Sequence, residues 1–200
     1  MAALVLALCA LGWVAAVAFF WRARAWLPYY ALGASGAALL IVVASREVFP
    51  FELWLRIATV QCVGAVAAIL HVGAIPAPEA GTLLVSGFGR NEWTHFSVGL
   101  ESSGLLEAAT LGSLVALYPR GGFRERALMV AGAVVASFLA NVLRVLVIVS
   151  LVGLGGQDLL EFAHLFLGRV LFFLMAMVLF WLAITRPMLA TVGARIQGGH

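Results

Sequence analysis

Apolar residues occur in six long stretches of the chain, each interrupted by only a few polar positions. A helix needs roughly 20 apolar residues to cross a hydrocarbon core about 30 Å thick, and each stretch is close to that length. The pattern predicts an all-α integral membrane protein with about six transmembrane helices. The predicted spans are 2 to 21, 28 to 45, 51 to 73, 102 to 118, 127 to 152 and 164 to 185.

The segment from 74 to 101 differs from these spans in its pattern. Pro76 and Pro78 are expected to end the third helix, and the runs TLLVS and WTHFSVGL flank the turn sequence GFGRNE. We therefore predict a small β-hairpin-like flap before the fourth helix. Residues 1–200 are expected to form a single transmembrane domain, with this flap extracytoplasmic and residues 186–200 as a cytoplasmic tail.

The composition excludes an ordinary soluble domain, because 64% of the residues are hydrophobic and only 10% are charged. Soluble domains carry about a quarter charged residues. The first apolar run has no basic segment in front of it and continues directly into RARAWLPYY, so we expect a retained anchor and not a cleaved signal. We expect a multi-pass protein of the bacterial inner membrane, in contact with membrane lipids.

All twelve basic side chains are arginines, and their distribution gives an orientation. Cytoplasmic loops carry an excess of positive charge, so we expect both termini to be cytoplasmic. Nucleic-acid binding is not expected, because the arginines are spread along the loop ends. The inner set is Arg46, Arg56, Arg120, Arg124, Arg126, Arg186 and Arg195, and the outer set is Arg22, Arg24 and Arg90.

Three polar side chains fall at one predicted depth, near the outer boundary of the membrane. Arg144 lies seventeen positions after Ala127, which corresponds to about 26 Å of helix. Ser102 opens the fourth span and His164 opens the sixth from the same side. Ionisable residues inside a membrane usually face a bundle interior or a watery cavity, so this convergence indicates a catalytic site.

Neighbouring polar residues are candidates for supporting roles. Asn141 shares the helix face of Arg144. Each residue also has a structural interpretation: a serine can cap a helix, Arg144 can reach the headgroups, and Glu107 needs a partner such as Arg169. Cys9 and Cys62 are expected to be buried apolar residues, and no spacing indicates a metal or cofactor site. The supporting set is Asn141, Ser103, Glu101, Arg169 and His95.

Three segments together resemble the exosortase and archaeosortase family of membrane transpeptidases. They are LESSGLLE (100 to 107), LANVLRVLVI (139 to 148) and FAHLFLGRVLFF (162 to 173). The stretch from about 100 to 188 is most similar to the exosortase G branch, whereas the N-terminal half resembles the family only in its hydrophobic helices. The resemblance implies cleavage of a membrane-anchored protein near a C-terminal sorting signal and transfer of the acyl group to an acceptor.

The sequence differs from the family at the nucleophile, because Ser102 stands where the family has its catalytic cysteine. A thiol ionises readily beside a cation, whereas a hydroxyl needs a general base during attack. Three explanations stay open: an engineered Cys-to-Ser replacement, a natural serine nucleophile, and a relative that has lost catalysis. By resemblance, Ser102 is the nucleophile, His164 the acid and base, and Arg144 the group that stabilises the oxyanion or binds a substrate carboxylate.

Two other classes of function remain as alternatives. The first is a non-catalytic membrane partner of a glycosyltransferase or a lipid-linked glycan system, since exosortase G relatives are often found beside glycosyltransferases. The second is an intramembrane serine protease of the rhomboid type, which accounts for a serine and a histidine but not for Arg144 and Asn141. In the flap, Trp93 and His95 are candidate substrate contacts, although both are also typical membrane-interface anchors.

Overall fold

The computed structural model describes residues 2–77, 81–86, 93–99, 102–118, 122–155, 166, 168–186 and 189. Six α-helices and three strands are found in this part of the chain. The helices are α1 (Ala2–Arg22), α2 (Trp26–Glu47), α3 (Phe51–Ile69), α4 (Leu105–Ala116), α5 (Phe123–Gly155) and α6 (Gly168–Phe180). The strands are β1 (Ala74–Ala77), β2 (Thr82–Ser86) and β3 (Trp93–Ser97), and α6 continues into a π-helical turn, Trp181–Thr185.

The predicted membrane fold is confirmed, with an apolar helix in each of the six predicted stretches. Four helices, α1, α2, α3 and α5, are long and apolar enough to cross a membrane by length and composition. The described parts of α4 and α6 are shorter, at 12 and 13 residues. Most of the boundaries shift by a few residues, and α5 extends beyond both ends of the predicted span to 33 residues.

The predicted hairpin is present, but it belongs to a three-stranded antiparallel sheet of order β1-β2-β3. β1 was not expected, because prolines are rare in sheets. Pro76 is tolerated here because β1 is an edge strand of the sheet. Gly64 of α3 makes room for it, since a Cβ at that position would lie 2.7 Å from the Pro76 Cγ. The sheet therefore packs directly against α3.

The helices α1, α2, α4 and α5 pack as antiparallel neighbours. The indole of Trp13 in α1 donates a hydrogen bond to the carbonyl of Leu32 in α2 at 3.1 Å. α4 packs on α2 and on the first two thirds of α5, where Gly112 faces Val134. These contacts form the helix bundle of the molecule.

The connection between α1 and α2 lies at the same end of this bundle as the C-terminus of α4. The hydroxyl of Tyr30 donates to the carbonyl of Leu114 at 3.0 Å, and Gly33 faces the side chain of Leu117. This arrangement differs from the expectation that separated Arg22 and Arg24 from Arg124 and Arg126. We call this end the arginine end and the opposite end, at Ser102 and Arg144, the serine end. The described arginines at the arginine end are Arg22, Arg24, Arg124, Arg126 and Arg186.

The other half of the molecule consists of α3, the sheet and the C-terminal third of α5. Val60 and Val63 of α3 are fully buried against the sheet and α5. The carbonyl of Gly73, which follows α3, accepts the N–H of Ser86 at 2.6 Å, and Gly153, near the end of α5, faces the carbonyl of Ser86. α3 therefore runs beside the end of α5 and contacts α2 only slightly. The core of this half contains Leu83, Val85, Phe96, Val98, Val145, Ile148, Val149 and Val152.

Candidate active site

A tight turn places two serines immediately before α4. Ser102 and Ser103 are buried, and the N–H of Ser102 donates to the carbonyl of Gly99 at 3.1 Å. The hydroxyl of Ser103 accepts the N–H of Leu105 at 3.2 Å, which is the local role expected of a serine at a helix start. Gly104 has φ 78°, a left-handed conformation that favours glycine. The sequence SSG therefore makes a compact helix entry.

Asn141 of α5 joins this turn to the longest helix. Its Nδ2 donates a hydrogen bond to the carbonyl oxygen of Ser102 at 2.8 Å, and the residue is only 3% exposed. The absence of a side chain at Gly104 permits the approach, since a Cβ there would lie 3.1 Å from the Asn141 Cβ. The structure thus brings Ser102 and Asn141 into direct contact, although 39 positions separate them.

Arg144 lies one helical turn beyond Asn141 and is also buried. Its Nη1 donates to Oε1 of Glu107 at 3.1 Å, and the two side chains are 9% and 12% exposed. The sequence pointed to Arg169 as a partner for Glu107, but Glu107 pairs with Arg144 and Arg169 is exposed on α6. A buried charge is stable only when it is compensated, so the pair fixes the guanidinium beside the first turn of α4.

The hydroxyl of Ser102 has no hydrogen-bond partner among the residues that the structure describes. A free hydroxyl is available to a substrate or to a general base. The predicted base His164 and the supporting residue Glu101 both lie outside the described residues.

Helix α6 lies beside α5 and runs in the opposite direction. Met175 lines a cavity with Asn141 and Arg144, and Leu179, four residues later, also packs against the cluster of Leu111, Val115 and Ala133, which lies nearer the start of α5. α6 therefore runs antiparallel to α5 and begins at the serine end.

An apolar cavity of about 270 Å³ lies between α4, α5 and α6. Its polar boundary is formed mainly by Glu107, Asn141 and Arg144, and most of the rest is apolar. The Oδ1 atom of Asn141 is buried and accepts no hydrogen bond from any described residue. The cavity can therefore hold an apolar group of a ligand while Asn141 offers an acceptor at its edge.

The flap residues lie on the surface of the sheet. Trp93 and His95 are exposed on one face of β3, and Phe96 is buried on the other. This alternation is that of a half-buried strand. Ser102, Ser103, Asn141 and Arg144 thus form one buried group, which His95 and Arg169 do not join.

The fold and this group define an integral membrane protein with a polar cluster buried between its helices at one end of the bundle. A family model described as transmembrane exosortase matches residues 2–182, and the chain belongs to that family. Membership suggests a sorting transpeptidase kind of function and implies a membrane-anchored substrate with a sorting signal. No curated protein and no solved structure matches the chain. The family expected from three C-terminal motifs is confirmed, and the match includes the N-terminal half.

Proposed function

We propose that this protein is a sorting transpeptidase in which Ser102 occupies the nucleophile position and acts with Arg144 and His164. The observation that carries this proposal is the 2.8 Å hydrogen bond from Asn141 to the Ser102 carbonyl. This bond links the turn of residues 102–104, which we call the serine turn, to the face of α5 that also presents Arg144. The same proposal includes two finer points. Ser102 replaces the catalytic cysteine of the family, and the chain is most similar to the exosortase G branch.

Arg144 supplies a fixed positive charge close to the serine turn. Its pairing with Glu107 at 3.1 Å fixes the guanidinium before any substrate binds. Preorganised donors in a water-poor site stabilise a developing oxyanion without reorganisation. We assign Arg144 to the oxyanion or to a carboxylate of the sorting signal, and Glu107 to the positioning of Arg144.

His164 is the proposed general base. The Ser102 oxygen attacks the scissile carbonyl while the imidazole accepts the hydroxyl proton, which gives a tetrahedral intermediate. Collapse of the intermediate breaks the C–N bond, and the imidazolium gives its proton to the leaving amine. The acceptor nucleophile then attacks the acyl-serine ester while His164 takes its proton, and the imidazolium returns that proton to the Ser102 oxygen as the ester C–O bond breaks. No metal or cofactor takes part in this scheme.

The remaining polar residues have supporting roles in this proposal. Asn141 and Ser103 hold the serine turn, and the buried Asn141 Oδ1 is available to accept a substrate N–H. Glu101 directly precedes Ser102 in the sequence, and Arg169 lies five positions after His164. We assign both residues to supporting roles. His95 contributes to substrate selection from the extracytoplasmic segment 74–101.

The test of this proposal is to trap the acyl-enzyme. The chain is expressed in bacterial membranes as wild type, Ser102→Cys and Ser102→Ala, and peptides linked covalently to residue 102 are identified by mass spectrometry. We expect a peptide ester on Ser102 or a thioester on the cysteine, and none on alanine. Loss of the adduct in a His164→Ala or Arg144→Ala background would support their roles.

Two other results would favour the alternative functions. An adduct on the cysteine variant alone indicates a site silenced by serine. No adduct on either nucleophile contradicts the proposal and favours a non-catalytic partner of a glycosyltransferase or a lipid-linked glycan. An adduct on Ser102 that is released only to water, with no transfer to an amine, indicates an intramembrane serine protease.

A further inference from the structure

Two groups of aromatic side chains lie at the two ends of α2. Aromatic residues concentrate at both interfaces of a membrane protein. α2 has 22 residues, so the groups are about 33 Å apart, which matches a hydrocarbon core about 30 Å thick. The group at the arginine end is Trp21, Trp26 and Tyr29, and the group at the serine end is Phe49, Phe51 and Trp54.

Between these aromatic groups the outer surface of the bundle is apolar. Large hydrophobic side chains of α1, α2, α5 and α6 are exposed there, which a soluble surface of this size would not tolerate. The residues include Leu8, Val14, Leu39, Val135, Leu139, Phe173 and Met177. This surface fits the acyl chains of a lipid bilayer.

The first turn of α3 contributes Phe51 and Trp54 to the aromatic group at the serine end, and the rest of α3 lies beyond that group. The helix starts where α2 ends, and its buried Val60 and Val63 pack against the last third of α5. α5 is 33 residues long, or about 50 Å, and extends roughly 20 Å past Asn141. A hydrocarbon core about 30 Å thick and centred on α2 therefore ends below the level at which α3 contacts α5. We call α3, the three strands and α5 from Val145 onward the cap.

The charges at the two ends differ in the sense expected for a bilayer. Five described arginines lie at the arginine end, as defined above, beside the acidic residue Glu125. At the serine end and in α3 the described arginines outside the buried group are three, Arg46, Arg56 and Arg169, and Arg46 pairs with Glu52 at 3.3 Å. Positive residues retain a loop on the cytoplasmic side, whereas acidic residues have little effect. The arginine end is therefore the cytoplasmic one.

We propose that the bilayer surrounds only the bundle between the two aromatic groups and that the chain crosses it five times. The crossing helices are α1, α2, α4 with its flanking turns, α5 and α6. α3 does not cross, and the whole cap lies outside the cytoplasm beside Ser102. The N-terminus is then extracytoplasmic and the C-terminus cytoplasmic, in contrast to the sequence expectation that both are cytoplasmic.

The first test determines whether the full chain crosses the membrane an odd or an even number of times. A short protease-cleavable epitope tag is placed at the N-terminus in one variant and at the C-terminus in another. Five crossings predict that protease added to intact spheroplasts removes the N-terminal tag and leaves the C-terminal tag until the membrane is opened. Protection or cleavage of both tags alike would overturn the proposal, because it requires an even number of crossings.

The second test locates the two ends of α3 directly. Single cysteines at Val48 and Leu70, both exposed, are introduced with Cys9→Ala and Cys62→Ala. A membrane-impermeant maleimide should label both in intact cells, whereas a matched cysteine at Ala23 should react only after permeabilisation. Labelling of positions 48 and 70 from opposite sides would overturn the proposal. If the cysteine-free background does not fold, the tag parity decides alone.

Discussion

Replacement of Gly104 by alanine tests the contact between the serine turn and α5 most specifically. The left-handed φ of 78° costs a non-glycine residue about 1–2 kcal/mol. The added Cβ would lie 3.1 Å from the Asn141 Cβ and displace its amide. Loss of the hydrogen bond to Ser102 costs about 1 kcal/mol more. The total is about 2–3 kcal/mol.

For a chain of this length, each kcal/mol shifts the Tm by about 2–4 °C, so Gly104→Ala should lower the Tm by about 4–12 °C. The assay is thermal unfolding of purified protein in detergent. Gly112→Ala is the matched control on the same helix, because its Cβ meets only Val134 Cγ2 at 3.6 Å. That replacement should leave the Tm unchanged or raise it, since alanine is the better helix former.

A double-mutant cycle separates backbone strain from the contact with Asn141. In an Asn141→Ala background the hydrogen bond to Ser102 is already lost, so Gly104→Ala should cost about 1 kcal/mol less than in the wild type. An alanine at 104 that leaves the Tm unchanged, or an identical loss in both backgrounds, would refute the reasoning.

Replacements at Glu107 and at Gly64 test two other contacts of the fold. Glu107→Ala removes an ion-pair partner of the buried Arg144 and should destabilise the protein by about 3 kcal/mol, with a smaller loss for Glu107→Gln. A Tm for the alanine variant equal to that of wild type contradicts the pairing. Gly64→Ala places a Cβ 2.7 Å from Pro76 and should lower the Tm, whereas Gly132→Ala, with open space around its Cβ, should raise it slightly. Equal effects of these two glycine replacements would show that β1 does not need the close approach.

The six helices could be predicted from the sequence because long apolar runs have few other stable structures. The positions of the helices relative to one another along the bundle axis could not be predicted in the same way. α3 has the length and composition of a spanning helix, but its mean hydropathy is the lowest of the four long helices. Its neighbours are the sheet and the end of α5, and hydropathy alone does not reveal that pairing.

Part of the candidate site could also be predicted, because polar residues inside apolar runs are rare. Asn141 and Arg144 were identified on this ground, and both lie in the buried group with Ser102. The pairing of Glu107 with Arg144 was missed, because a long side chain reaches a partner at a different helix height. The role of Gly104 was missed as well, since a left-handed φ depends on the geometry of the local turn.

The proposed function requires position 102, Arg144 and His164 to meet in one site. It is tested most directly by the reactivity of a thiol at position 102. Ser102→Cys, in a background with Cys9→Ala and Cys62→Ala, is alkylated with iodoacetamide at pH 7 with and without His164→Ala. A free thiol with a pKa near 8.5 is only a few per cent thiolate at this pH, whereas a thiol beside a cation is largely ionised.

We expect His164→Ala to slow alkylation at position 102 at least tenfold, because the thiolate fraction falls from more than about half to a few per cent. The matched control is His71→Asn, at an exposed turn after α3 where asparagine tolerates the positive φ of 57°. It should leave the rate unchanged. An alkylation rate that is the same with and without the His164 imidazole would contradict the claim that the two positions share a site.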